Sequence, residues 1–431
     1  MARRFFPLDD ELGLLPGHLT PSLLESIARL GTWMPFARAV TELHFFTHVD
    51  ISEPTLRRHV EAAGAAYVAL QEQEVARLER TLPPAPPGPP VQQVSVDGAM
   101  VSLVHKEWAE VRTLAVGVVE KPVMEKGEPV VHTGQVSYFS RLCDADTFGR
   151  LATVETHRRG TENAGTVCAV VDGAEWEQGF IDLHCPKAVR ILDFGHAGEH
   201  VAAAGRVVYG EDTEPLRAWL GQELHTLKHE QPETVVGDLQ RLKDRQPDGQ
   251  PLGEQKTRLI DDNVSYLEKR YEHMRYAQFI QSGYPIGSGM VESGNKLVVE
   301  ARLKGAGMHW ARQTVNPMLA LRNVACSDRW EEAWPQICQQ LRTDGRAAQQ
   351  KRRTERRDTR EPAAAAAIMV TEQEPRTRPS AQPKENSLPT PRPDQAAPGE
   401  LHRPAADHPW RHAPIGSARY RPSQGVSHPK I

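Results

Sequence analysis

The chain has 431 residues, 25% of them charged and 39% hydrophobic, with a formal net charge of −4. That length suggests two or three folded units plus extensions, and the near balance of charge excludes a polycation that grips nucleic acid through bulk charge. Cys143, Cys168, Cys185, Cys326 and Cys338 show no CxxC pairing, which argues against a disulfide framework or zinc ribbon, and no apolar run approaches the roughly eighteen residues of a membrane helix, so a cytoplasmic protein without a membrane partner is expected.

From Thr20 to Leu82 apolar residues recur at three and four spacings through SLLESIARLGTWMPFARAVTELHFF and TLRRHVEAAGAAYVALQEQEVARL, which predicts helices. Between them, THVDISEPTL offers Ser52 as an N-cap, with Glu53 and Pro54 in the first turn. Residues 1–82 therefore read as a helix-turn-helix-like unit whose recognition helix, Ser52 to Ala66, turns Arg57, Arg58 and His59 toward DNA. An ordinary helical hairpin is the alternative, since no glycine marks the turn. The PPAPPGPP run, 83–90, cannot continue a helix and reads as an extended spacer between domains.

After the prolines the period changes. VQQVSVDGAM, EVRTLAVGVVE and GQVSYFSRL predict three strands, followed by a helix in ADTFGRLATVETHRRG. A strand in TVCAVVDG, a helix in EWEQGFIDLHCP and a strand in AVRILDF complete the series. Amphipathic helical text fills about 200–280, an insertion, before YPIGSG introduces a helix carrying Glu292, Lys296 and Val299 on related turns. Residues 91–341 thus form one α/β unit, and 342–431, rich in Arg, Pro, Ala and Gln, are expected to be disordered.

Asp97, Asp172 and Glu292 stand at the ends of apolar or small-residue segments. An unpaired buried carboxylate is expensive and needs a cation or a basic partner. One acid on the first strand, one on the fourth and one on a late helix is the order of a ribonuclease-H-like fold with a mixed sheet. Such a fold gathers the three acids to hold two Mg²⁺, with Mn²⁺ as a substitute, for displacement at phosphorus. A lone Asp-Gly pair reads as a turn; the ordered set of three favours the metal reading. ILDFGHAGEHV adds Asp193, which competes with Asp172, and His196 and His200 at zinc-ligand spacing but without a metalloprotease glutamate. Lys296, Arg302, Lys304, His309, Trp310 and Arg312 interleave basic and aromatic side chains suited to phosphates and an unpaired base. A core position is the other reading of Trp310.

The segments VSVDGAMV, SYFSRL, FGRLATVETHRRG, VVDGAEW, ILDFGHAGEHV, YPIGSGMVESGNKLVVEARLKGAGMHWAR and NPMLALR resemble bacterial insertion-sequence transposases of the Kra type, in the Mutator-like DDE group. The resemblance runs from Arg4 to about Gln339. It implies Asp97, Asp172 and Glu292 as the catalytic metal ligands, Asp193 and His196 as an accessory pair, and a helical insertion between the second and third acids. It also implies cleavage of element ends and strand transfer into target by a homo-oligomer on double-stranded DNA. A ribonuclease-H-like nuclease without strand transfer and a noncatalytic DNA-binding remnant are the alternatives. Relatives commonly carry a cysteine-paired, zinc-ribbon-like segment ahead of RRFFPLDDELGL, and this chain does not.

Overall fold

The computed structural model describes residues 14–15, 19–125, 127–245 and 251–371. Its first helices are α1 (Pro21–Trp33), α2 (Phe36–Thr47) and α3 (Glu53–Thr81). Thr20 caps α1 by accepting the Leu23 N–H, with Pro21 in the first turn. Ser52 holds the cap position of α3, but its hydroxyl meets Thr55 Oγ1 at 2.8 Å instead of a backbone N–H. The helix does not end near Ala66. It continues for 29 residues because a buried stripe of Leu56, Val60, Ala63, Tyr67, Val75 and Leu78 runs its length.

The alternating text forms β1 (Val91–Ser102) and β2 (Trp108–Val119), a short ribbon of β3 (Val123–Glu125) and β4 (Glu128–Val130), and β5 (Thr133–Arg141). Then come α4 (Ala145–Arg158), β6 (Thr166–Val171), α5 (Glu175–His184) and β7 (Val189–Leu192). The five-stranded sheet has the order β5-β2-β1-β6-β7. β1 pairs antiparallel with β2, and β2 with β5, whereas β1–β6 and β6–β7 are parallel. The chain is thus mixed α/β, with the strands in the segments where alternation places them. The β3–β4 ribbon escapes the pattern because it is short and exposed.

Helices α6 (Phe194–Tyr209), α7 (Glu214–His229), α8 (Pro232–Arg241), α9 (Glu254–Glu268) and α10 (Tyr276–Gln281) follow β7. They share a core with Cys168, Val170 and Ile191 of the parallel strands, through Ala197, Val201, Leu239, Ile260 and Tyr276. Helix α11 (Gly289–Gly294) widens into a π turn over Asn295–Glu300 and closes with Ala301–Leu303. The last helices are α12 (Arg312–Cys326) and α13 (Trp330–Thr371).

Two expectations about domains change. Leu24, Ile27, Leu56 and Val60 of the first helices lie in the same core as Ala99, Val101 and Val111 of the sheet and Val315 and Leu319 of α12. A Cβ on Gly64 of α3 would collide with the Pro317 carbonyl of α12, so the two helices touch backbone to backbone. The described residues up to Arg360 accordingly belong to one compact unit, and the proline run is not a free spacer. Its carbonyls are bound: Asn163 Nδ2 donates to Ala85 O and Pro86 O at 2.8 and 3.1 Å, and Gly165 N to Pro89 O at 3.0 Å. Of the tail expected from 342, α13 covers the residues to Thr371. Arg, Gln, Ala and Glu are good helix formers even where they bury nothing. Residues 372–431 of that expected tail lie outside the described residues. No described helix is long and apolar enough to cross a membrane, and all five cysteines are unpaired.

Candidate active site

Strands β1 and β6 are in parallel register from Val91–Thr166 to Val94–Ala169. Asp97 and Asp172 each lie three residues beyond the last pair, at the carboxyl side of the parallel ladder, where α/β sheets form ligand crevices. Asp97 accepts the Gly98 N–H on Oδ1 at 2.6 Å and Asn295 Nδ2 on Oδ2 at 2.7 Å. Asn295 stands three residues after Glu292, hence on the same face of α11. The contact between Asn295 and Asp97 therefore brings the start of α11, with the exposed Glu292, over β1. Ser288 Oγ donates to Glu292 Oε1 at 3.4 Å. Gly294 permits this approach, since a Cβ there would press on the Tyr138 ring at 2.7 Å.

The turn carrying Asp172 is gripped from both sides. Tyr266 of α9 donates its hydroxyl to the Asp172 carbonyl. Arg270 Nη2 donates to Gly173 O at 3.0 Å while its guanidinium lies 3.7 Å over the Tyr266 ring. From the other side Glu177 Oε2 accepts the N–H groups of Gly173 and Ala174 at 2.8 and 3.0 Å. Gly173 sits at φ 85°, a conformation open to glycine. The result is a fixed backbone with the Asp172 side chain 39% exposed.

Asp193 is different. It is 5% exposed and caps α6 by accepting the His196 N–H at 2.7 Å, while its other oxygen accepts Ser288 N at 2.6 Å. It ties β7 to the entry of the helix that bears Glu292. His196 Nδ1 stands 3.8 Å from Asp172 Oδ2. His200 stacks on Tyr266 at 3.8 Å and shares a hydrogen bond with Asn263 at 2.7 Å, so its partners are already found within the insertion. Among the described residues no three His, Cys, Asp or Glu side chains are placed to hold a metal ion as they stand.

The electrostatics nevertheless join these groups. Burial raises Asp97 above the usual carboxylate range, and Glu292 and Glu110 add to it, against the hydrogen bonds from Gly98 and Asn295. Burial pushes Asp172 up to about 6; Asp97, Asp193 and Glu292 add to the rise and His196 opposes it. Glu177, 2% exposed, is pushed to about 8 by burial, with Asp172 and Asp97 contributing.

Glu177, Asn295, Tyr266 and Arg270 were not singled out by sequence reading. Only Glu177 left a trace, as a glutamate at the third position of a helix reaching back to its cap, half of a capping box.

Two expected DNA contacts belong to the core instead. Arg302 is 2% exposed, with Nε donating to Gly31 O at 3.0 Å and its guanidinium 4.7 and 5.1 Å from the Phe36 and Trp310 rings. Trp310 is buried and donates Nε1 to Leu303 O at 3.2 Å. Of the others, Arg57, Arg58, Lys296, Lys304, His309 and Arg312 are exposed and His59 is half-buried. Arg57, Lys304 and Arg312 face Glu61, Glu300 and Glu107 at 2.7, 2.7 and 3.8 Å. No protein-family model matches the chain, and no curated protein matches it.

Proposed function

We propose that the chain is a metal-dependent DNA-cleaving and strand-joining enzyme of the DDE transposase kind, with a ribonuclease-H-like catalytic core. The observation that carries this reading is the edge itself: Asp97 and Asp172 each three residues beyond the last pair of a parallel ladder, Glu292 brought over by Asn295, Asp97 and Glu292 raising Asp172, and no Lys or Arg among the main groups that shift Asp97 and Asp172. All three are hard oxygen donors, the kind Mg²⁺ and Mn²⁺ prefer. The donor set fits two such ions, and their charge would draw together carboxylates that otherwise keep apart.

Asp97 and Asp172 would hold both ions from the sheet, and Glu292 would close the site from α11. When bound, the ions supply Lewis-acid stabilisation of the charge that builds during in-line displacement at phosphorus. Water attacks in the first step and the freed 3′-hydroxyl in the second, so no side chain needs to form a covalent bond. Asn295 fixes the Asp97 carboxylate, Asp193 fixes the approach of α11, and Tyr266, Arg270 and Glu177 fix the Asp172 turn. Double-stranded element ends and target DNA would be the substrates. Two ends must be paired, which calls for a homo-oligomer on DNA.

The test is Mg²⁺-dependent nicking of end DNA by Asp97→Ala, Asp172→Ala and Glu292→Ala. Each should lose about a thousandfold in rate, roughly 4 kcal/mol of transition-state stabilisation. Undiminished nicking in all three would refute the assignment. Joined product in the presence of a target plasmid would distinguish a transposase from a nuclease.

A further inference from the structure

The β1–β2 hairpin overhangs the rest of the sheet. Its strands have 12 residues each, whereas β6 has 6 and β7 has 4. Helices α4 and α5 share the core of one sheet face with Val94, Val96, Leu114 and Val116, and the Arg112 guanidinium, 5.2 Å over the Trp176 ring, marks where that cover stops. Beyond it the alternation is sharp. Ala99, Val101, Ala109 and Val111 are buried on the face toward α11 and α12. On the opposite face Met100 and Trp108 are 46% and 62% exposed. Met100 pairs with Glu110 and Ser102 with Trp108, so Met100 and Trp108 are diagonal neighbours, about 7–8 Å apart at the backbone.

The rim of this open face is basic. His105 and Lys106 form the hairpin tip, both with positive φ, 65° and 62°, a conformation that favours glycine. Glu107 and Glu110 are taken up by Arg312 and Arg112, leaving His105 and Lys106 without a carboxylate of their own among the described residues. At the side, His309 is exposed and its Nδ1 shares a 2.8 Å hydrogen bond with Ser102 Oγ. A bridge between Leu103 and Trp310 holds that segment against the hairpin.

We propose that this overhanging face is a stacking platform for unpaired bases of a DNA strand, a reading that rests on the chain acting on DNA. Trp108 offers its ring to a base, Met100 extends the apolar floor, and His105, Lys106 and His309 meet the flanking phosphates. An exposed aromatic ring edged by the Lys106 ammonium and the imidazoles of His105 and His309 is complementary to a nucleotide strand, apolar at the base and anionic at the backbone. Along β1 the platform lies five residues from Asp97, about 17 Å at strand rise, and the odd separation puts it on the opposite face of the sheet from the acids, so it would hold an unpaired strand away from the carboxylates.

The experiment is fluorescence-anisotropy titration of a labelled oligodeoxythymidylate of about 20 nucleotides. Trp108→Ala should bind about tenfold more weakly than wild type and Trp108→Phe nearly as well. Lys106→Ala should lower the salt dependence by about one unit of slope. The Trp108→Ala variant should melt with the wild type, because the ring is in solvent. Equal oligonucleotide affinity for Trp108→Ala and wild type would overturn the platform. So would a Trp108→Ala variant that loses self-association while binding the strand normally, which would make this face an interface between copies. Asp97→Ala should bind the strand like wild type. Loss of binding in Trp108→Ala alongside nicking that ignores the acids would therefore uphold the platform and discard the catalytic reading.

Discussion

The core beneath Trp310 and the edge beside Asp97 both take charge out of water, and they do so in opposite ways. In the core the described cations find most of their partners within the chain, with Arg302 Nη2 buried without one. Arg302 lies between two rings and donates to a backbone carbonyl, Arg322 donates to Thr32 O and Val298 O, and Arg329 grips Glu155 at 2.6 and 2.8 Å. At the edge Asp97, Asp172 and Glu177 are half-buried or buried, Asp97 raises Asp172 and both raise Glu177, and no Lys or Arg is among the main groups that shift them. Partnered charge of the first kind holds a structure together. Charge of the second kind costs stability and is retained where a ligand supplies the missing partner.

That contrast breaks most visibly at the ion pair. Arg329→Ala leaves Glu155, 5% exposed, without its cation, and should destabilise by about 3–5 kcal/mol in chemical denaturation. A loss below 1 kcal/mol would mean the pair is not what holds α13 to α4. At the edge the same operation should have the reverse sign. Asp97→Asn removes one of the repelling charges and keeps an oxygen for Asn295, so it should stabilise the metal-free protein by about 1 kcal/mol while abolishing nicking.

The first residues of β1 and β6 made this edge legible in sequence: alternating apolar text fixed the strands, with one acid inside β1 and another directly after β6. Asp193 looked the same, ending β7 as Asp172 ends β6; the resemblance alone set it apart as accessory, and the structure adds a physical difference by giving the Asp193 side chain two N–H donors. Arg302 and Trp310 misled because basic-aromatic spacing does not reveal that Phe36, far away along the chain, completes the stack. The proline run misled for a similar reason. Its stiffness was readable, but the Asn163 side chain that binds it was not. Tyr266 and Asn295 act through contacts between distant segments and left no local signal.

A subtler difference concerns pH. The Glu177 carboxyl has a raised folded pKa, about 8 against an ordinary 4.5, so its stabilising contribution is full below about pH 4.5 and fades as pH rises through about 8. Without divalent ions the melting temperature should fall across that window, and Glu177→Gln, which preserves an acceptor for the Gly173 and Ala174 N–H groups, should flatten the fall. An unchanged slope would show that another group titrates. The smallest effect belongs to Tyr266→Phe. Loss of the hydroxyl on the Asp172 carbonyl should raise the Mg²⁺ concentration for half-maximal nicking a few-fold, about 0.5–1.5 kcal/mol, with DNA affinity unchanged.

The claim that the carboxylates share cations is tested most directly by calorimetric titration of the intact chain with Mn²⁺ at neutral pH. Wild type should bind with a heat that shrinks in Asp97→Asn and again in Asp172→Asn, and its melting temperature should climb with added ion. Mn²⁺ binding of equal strength in wild type and in the Asp97→Asn, Asp172→Asn double variant would contradict it.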